Sequence, residues 1–348
     1  MRSGTQEALA VPEERGFILI RVGVLGAGVM GSDHILAVKK LAEWKQKEIA
    51  VTAIADRMEE RREKAAQIWP EAVIYEEADE LLEKEKLDAI HVCLPSYLHA
   101  EYAVRAMEKG IPVLLEKPAC LSEEECVRLL ETQKRTGVKA MVGQVLRFFP
   151  EYRLLKELCE KKTYGELKGL VMQRLSQNVL WGYQDWFHDE KKSGSVVLDL
   201  HIHDADFIRY LLGEPEGIHV AATAYEDGMI NQILTRYSYP GKLVSAEGVW
   251  DINSKMPFRG SYRAYFQDAT VAFKSWENPS VRIWKKDDTA EEPQLEKVPE
   301  LGGYYTEVEY FYDCLEKDAE PSAAPLEEGI RTVRLVLKEL EEAHRFLG

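Results

Sequence analysis

Between Ile18 and Gly143 six short apolar runs alternate with longer amphipathic ones, and that alternation leaves few folds open. ILIRVGVL (18–25), IAVTAIA (49–55), AVIY (72–75), DAIHVCL (88–94), IPVLLE (111–116) and KAMVG (139–143) read as strands. The stretches between them read as helices. In HAEYAVRAMEKG (99–110), Ala100, Ala103, Val104 and Met107 recur at helical spacing and Gly110 follows as a stop. Over 122–137, Ser122 is placed to cap, acids fill the first turn, Lys134 and Arg135 come late, and Gly137 ends the helix. Strands that alternate with helices pair in parallel through right-handed crossovers, so the expected class is α/β with a doubly wound parallel sheet.

The texture changes after Arg147-Phe148-Phe149-Pro150. One helical piece (151–161) precedes strand candidates at 168–177, 219–226, 231–240, 242–252, 263–274 and 280–286. Turn signals at Tyr239-Pro240-Gly241 and Asn278-Pro279 imply hairpins, hence a mainly antiparallel sheet in a second, α+β domain. From Leu326 the tail is helical again, with Ile330, Val333, Leu337 and Leu340. The expected layout is a dinucleotide-type domain over 17–143, an α+β domain over 144–325 and a terminal helix over 326–348. At 348 residues the chain is long enough for two such domains.

Charge and cysteine usage narrow the partners. A net charge of -15 with only short, scattered basic clusters argues against a nucleic-acid partner. Five cysteines without a C-x-x-C fit reduced thiols. The first sixteen residues are polar and acidic, and no apolar run approaches the ~20 residues of a membrane span. The expected location is the cytoplasm, with no membrane partner.

Two stretches of the first domain carry chemistry. Gly26-Ala27-Gly28-Val29-Met30-Gly31 closes the first strand and opens a helix. The first glycine makes the turn, the second lets backbone N–H groups reach a pyrophosphate, and the third permits close helix–strand packing. The next strand ends in Asp56, which suits a ribose 2′-OH and puts NAD ahead of NADP; Arg57 beside it would suit an adenine ring or a 2′-phosphate. The fifth strand ends in Glu116-Lys117-Pro118, at the sheet edge where open parallel sheets bind ligands. A lysine there can hold a substrate hydroxyl or a developing oxyanion.

In the second domain VVLDLHIHDAD (196–206) gathers Asp199, His201, His203, Asp204 and Asp206. On a helix at about 100° per residue, Asp199 and His203 share a face and His201 lies about 200° away. A strand would instead align the two histidines as metal donors. Apolar residues on both parities favour the helix, and periodicity alone does not close the choice.

GAGVMG (26–31), Leu94-Pro95-Ser96-Tyr97-Leu98-His99, LLEKP (114–118) and the D-x-x-x-H of Asp199 and His203 together resemble the glucose–fructose oxidoreductase and inositol dehydrogenase group (Gfo/Idh/MocA), across nearly the whole chain. That resemblance implies a Rossmann domain, an antiparallel α/β domain whose open sheet serves self-association as a homodimer or homotetramer, and a nicotinamide cofactor. It implies a catalytic set of Lys117, Asp199 and His203 without a metal. In that set His203 takes the hydroxyl proton, Asp199 orients the imidazole and Lys117 holds the oxygen. It places Leu94, Pro95, His99, Glu116 and Gln144 with the glycine loop, Asp56 and Arg57 about the cofactor, and Tyr97, Arg147 and Trp186 near the substrate. Trp181, Tyr183, His188, Tyr304 and Tyr305 are further candidates for the same cleft. One departure is Ser193-Gly194-Ser195, where the group often carries three glycines. The implied activity is oxidation of a secondary hydroxyl on a cyclic polyol, sugar or glycoside. A glycosidase using transient oxidation by NAD and a catalytically silent regulator are the rival readings.

Overall fold

The computed structural model describes residues 19–251 and 255–348. The expected polar leader over 1–16, the Phe17–Ile18 start of the first domain and strand, and the Ile252 end of another strand lie outside these residues. In the first half the elements are β1 (Ile20–Leu25), α1 (Val29–Lys45), β2 (Ile49–Ala55), α2 (Glu59–Ile68), β3 (Val73–Tyr75) and α3 (Ala78–Lys84). They continue with β4 (Ala89–Val92), α4 (His99–Glu108), β5 (Val113–Leu115), α5 (Glu123–Thr136) and β6 (Ala140–Val142). The six strands form one parallel sheet in the order β3-β2-β1-β4-β5-β6. The order of succession reverses at β1: the chain adds β2 and β3 on one side and β4 to β6 on the other, which opens a crevice beyond the carboxyl ends of β1 and β4.

Local chemistry explains these elements. Val22, Val24, Ile90, Val92, Val113 and Leu115 are buried, as expected of strands covered on both faces. Ser122 Oγ accepts the Glu125 N–H at the start of α5, and Gly137 ends that helix at φ +68.

The second half holds α6 (Pro150–Glu160), β7 (Leu167–Gln177), α7 (Glu190–Ser193) and α8 (Ile202–Leu212), then β8 (Gly217–Ala224) and β9 (Ile230–Tyr239). Next come β10 (Lys242–Asp251), β11 (Arg259–Phe266), β12 (Ala269–Lys274), β13 (Val281–Lys285), β14 (Ala290–Glu291), α9 (Gly303–Glu316) and α10 (Leu326–Leu347). Eight strands run β14-β13-β12-β11-β7-β10-β9-β8, antiparallel except for the β7–β10 pair. The single strand expected over 263–274 is two. Gln267 and Asp268 turn the chain, their N–H groups donating to the carbonyls of Glu166 and Tyr164.

Helices tie the halves together. α9 packs on α1, and its Val308, Phe311 and Tyr312 share a core with Ile35, Val38 and Leu41. α10 crosses β8 and β9 and contacts α8. The Val142 N–H donates to the Ala324 carbonyl, joining β6 to the segment before α10. Among the described residues no helix is long and apolar enough to cross a membrane.

Candidate active site

A cavity of about 360 Å³ lies beyond the carboxyl ends of β1, β4 and β5 and is closed by residues of the second half. Its first wall is the glycine loop. Gly26 has φ +86, and a Cβ there would sit 2.4 Å from the Cys93 carbonyl oxygen. A Cβ on Gly31 would fall 1.8 Å from the Gly26 oxygen, so position 31 serves backbone packing and does not line the cavity. Gly28 differs: a Cβ would meet only the Arg61 guanidinium, at 3.4 Å. It precedes α1 with no side-chain cap, and Val29 and Met30 line the cavity beside it. An uncapped helix start with a glycine-sized space in front of it fits a pyrophosphate.

A smaller cavity adjoins, lined by Gly26, Asp56, Arg57, Glu77 and Tyr97 among others. Asp56 braces the loop: Oδ2 accepts the Ala27 N–H at 2.8 Å and Oδ1 accepts the Met58 N–H at 2.8 Å. Its carboxylate keeps lone pairs for a ribose hydroxyl. Arg57 donates from Nε and Nη2 to Glu77, at 3.1 and 3.0 Å. A 2′-phosphate here would meet the Asp56 and Glu77 carboxylates, with Arg57 already paired.

Leu94, Pro95, His99 and Glu116 line the main cavity. Both ring nitrogens of His99 face main-chain carbonyls, those of Pro118 and Leu94, each at 2.7 Å. That histidine therefore ties the β4 and β5 loops together and leaves no nitrogen for a ligand. Gln144 is buried, neither of its amide atoms has a hydrogen-bond partner among the described residues, and it does not line the cavity.

Residues 196–206 are helical, but not uniformly so. Val197–His201 form a π-helical turn that runs into α8. Just before it, Gly194 and Ser195 both take left-handed backbone, at φ +70 and +60. The wider turn breaks the α-helical spacing on which the i, i+4 neighbour of Asp199 rests. Asp199 pairs with Lys117: Nζ donates to Oδ1 at 2.8 Å and to the Asp199 carbonyl at 2.6 Å. Among the described residues no hydrogen bond joins Asp199 to His203, so the expected orienting contact is replaced by an anchor on the lysine. His203 lines the same cavity, and its Nδ1 is buried without a partner among the described residues. Burial first, then the charges of Lys117 and Arg174, push its pKa well below 6.5.

The other members of the cluster disperse. His201 is fully buried, its Nε2 2.7 Å from Glu339 and 3.1 Å from the Tyr237 hydroxyl, so the two histidines do not converge. Asp204 accepts from Arg174 Nη2 at 2.7 Å. Asp206 takes a two-pronged contact from Arg147, at 2.8 and 2.6 Å, with both side chains 1% exposed. Arg147 is thus a buried strut and not the expected substrate contact.

Trp186 lines the cavity with Trp181, Phe187, Phe149, Phe258 and Tyr304. Trp186 stacks on Phe187 at 3.8 Å, and Tyr97 meets it edge-on at 6.5 Å. Tyr183 borders the smaller cavity. His188 binds Asp185 and Asn178, and Tyr305 packs on Trp44, both away from the cleft. Arg174, Arg61 and Phe258 escaped the sequence reading. Arg174 had a signal: it stands on the buried parity of β7 with Leu170, Met172 and Ser176.

Comparison with known proteins follows the same division. Residues 20–144 match the family described as "Oxidoreductase family, NAD-binding Rossmann fold", and residues 152–271 match the "GFO/IDH/MocA C-terminal domain". Inositol 2-dehydrogenase of Corynebacterium glutamicum is 31% identical over 195 residues, 56% of this chain and 54% of that protein. Myo-inositol 2-dehydrogenase of Thermotoga maritima is 31% identical over 196 residues, 56% of this chain and 55% of its own. The chain thus spans about half the length of the curated relatives it matches. Among solved structures, levoglucosan dehydrogenase in complex with NADH and levoglucosan has a TM-score of 0.82 at 18% identity, covering 94% of this chain and 98% of its own. UDP-N-acetylglucosamine 3-dehydrogenase from Acidithiobacillus ferrooxidans has a TM-score of 0.76 at 22% identity, covering 95% and 100%. At such identities the two structures share a fold.

Proposed function

This chain belongs to the Gfo/Idh/MocA family of oxidoreductases, and we propose that it is an NAD-linked dehydrogenase oxidising a secondary hydroxyl of a cyclic polyol, sugar or glycoside. The observation that carries this reading is the Lys117–Asp199 pair beside His203, in one cavity with the uncapped start of α1. Bound NAD supplies the hydride acceptor. Gly28, Val29 and Met30 would hold its pyrophosphate, and Asp56 its adenosine ribose. His203 is neutral at physiological pH and takes the hydroxyl proton on Nε2, the nitrogen not buried against protein. Lys117 stabilises the oxygen as its charge develops, and Asp199 keeps the ammonium in place. The aromatic wall of Trp186, Phe187 and Phe258 suits the apolar face of a ring substrate.

The test is reduction of NAD across a panel of inositols, sugars and alkyl and aryl glycosides. Turnover is expected with at least one ring polyol. Replacing His203 with Ala is expected to lower it about 10²–10⁴-fold with NAD affinity kept. Because the neutral ring is the working form, the acid limb of kcat/KM should lie below pH 6.5. A limb at or above 6.5, or a fully active H203A, would remove the histidine from the mechanism. Aglycone release without accumulation of NADH would favour the glycosidase reading, and NAD binding without any redox change the silent one.

NAD should be preferred to NADP by about 100-fold, since like charges placed together cost several kcal/mol. Equal kcat/KM for the two would show that a cation of that cavity, Arg61 or an Arg57 released from Glu77, takes the extra phosphate.

The same family reading favours self-association. Leu243, Gly169, Tyr265, Thr270 and Trp284 stand opposite one another along one row across five strands, and the Leu, Tyr and Trp are exposed. A homodimer or homotetramer through this sheet is the proposed assembly, and light scattering on the same sample reads the subunit count.

A further inference from the structure

Behind Lys117 lies a buried line of polar groups that the chemistry above does not use. Glu116 Oε2 accepts the Lys117 N–H at 3.1 Å, and Glu116 Oε1 is 3.0 Å from His34 Nε2. His34 Nδ1 is 3.0 Å from His91 Nδ1, and His91 Nε2 is 2.8 Å from the Tyr312 hydroxyl. The line crosses β5, α1, β4 and α9. Both histidine rings are wholly buried, and Gly143 makes room for it, since a Cβ there would press on Glu116 Oε1 at 3.0 Å.

Two nitrogens facing each other need one proton between them. With Glu116 ionised, His34 Nε2 carries a hydrogen. If His34 is otherwise neutral, its Nδ1 accepts from His91, and His91 Nε2 accepts from Tyr312. If His34 is charged, its Nδ1 donates to His91, and His91 Nε2 donates to Tyr312. Every contact survives in both states, so the line takes up or loses a proton without moving a heavy atom. We infer that Glu116, His34, His91 and Tyr312 form a proton-storing line that keeps Glu116 ionised and so fixes the backbone of Lys117; the three residues behind Glu116 are positioning residues.

The surroundings agree. Facing His34 are Asp33 on its own helix, Cys93 and His91 from β4 and its loop, Glu116 from β5 and Glu307 from α9. Burial opposes a charge on His34, and the Cys93 thiol, itself pushed up by burial and so neutral, adds no charge to hold it; the ionised Glu116 carboxylate at 3.0 Å raises the His34 pKa above 6.5. Burial and then the His34 charge push His91 well below 6.5. Burial works against the Glu116 charge too, but His34, Lys117 and His99 hold its carboxyl below the usual range. Glu307 completes the balance. One oxygen of Glu307, a ring nitrogen of His34 and an oxygen of Glu116 lie within 4.8 Å of one another, and neither Glu307 oxygen has a hydrogen-bond partner among the described residues. Burial, then Glu116, raises it well above the usual carboxylate range, so it stays a neutral acid and leaves the negative charge to Glu116.

Two measurements separate this inference from the dehydrogenase reading on which its link to Lys117 rests. The first, ¹⁵N NMR of labelled histidines in the full chain, needs no turnover. One buried ring is expected to be an imidazolium at pH 7 and another neutral, the charged signal vanishing in His34→Gln and, in Tyr312→Phe, the neutral ring changing tautomer as the imidazolium loses its proton. The second is kinetic. His34→Gln keeps an N–H for Glu116 but cannot store a proton, so kcat should fall about tenfold with KM for NAD held. His34→Ala should fall about 100-fold. Glu116 protonates more readily without the His34 charge, so the acid limb of kcat in His34→Gln should move to higher pH. Two neutral rings at pH 7, or wild-type pH profiles in both His34→Gln and Tyr312→Phe, would overturn the inference. So would one-to-one uptake of Zn²⁺ alone that Glu307→Gln abolishes. Should the wild type turn over no substrate, the NMR result still decides for or against the store.

Discussion

Lys117→Met is expected to lower turnover about a thousandfold while the chain still folds and binds NAD. Losing one preorganised donor to a developing oxyanion costs about 10²–10³ in kcat. Here the loss goes further, because Asp199 is held by Lys117 through both its carboxylate and its carbonyl and would face the substrate uncompensated. Methionine keeps most of the length and the apolar stem, so packing against the cleft changes little. A second effect has a definite sign. Lys117 is, after burial, the first cause of the low His203 pKa. Removing its charge should move the acid limb of kcat/KM upward, toward the ordinary histidine range. Lys117→Arg is not expected to rescue, since a planar fork does not reproduce a point charge aimed at one oxygen. Steady-state reduction of NAD, with binding followed separately by calorimetry, reads all three. A kcat within tenfold of wild type would take Lys117 out of the reaction and leave it as a clamp on the π-turn.

What the sequence made legible was what chain-local physics controls. The glycine loop, the strand it follows and the acid at the end of β2 lie within about one βαβ unit, and each glycine has a steric reason readable from spacing. Lys117 was legible because a strand end in an open parallel sheet is where ligands bind. The partner of Asp199 was not. The i, i+4 argument assumed an α-helical turn, and the π-turn at Val197–His201 redirects the carboxylate by an amount no residue spacing announces. The line behind Lys117 was hidden for another reason. His34 sits in α1 and His91 in a strand, each looking like one polar residue in an apolar element, and only the sheet order brings them within 3.0 Å. Arg174 lay between these cases: a charged residue on a buried strand face must have a partner, and Asp204 is that partner.

Arg147→Met should destabilise the chain by about 3–5 kcal/mol and leave catalysis in the surviving folded molecules close to wild type. The size follows from leaving a buried carboxylate without its ion partner. Asp206 is 1% exposed and receives both Arg147 donors; afterwards the one side-chain donor left to it among the described residues is the Thr332 hydroxyl, at 2.8 Å. Arg147 also donates to the Ala323 carbonyl at 2.8 Å and lies 4.5 Å from the Tyr210 ring centroid, so it joins the start of the second half to α8 and to the segment before α10. For a chain of this size the thermal midpoint should fall by roughly 4–7 °C. The double change Arg147→Met with Asp206→Asn removes both charges and should recover part of the loss, because a buried pair replaced as a pair often costs little. A role in substrate binding makes the opposite pattern: a normal midpoint, a raised KM and no recovery from the second substitution. Thermal unfolding and kcat/KM on the same three proteins separate the two, and the strut reading fails if Arg147→Met shifts KM by tenfold or more without moving the midpoint.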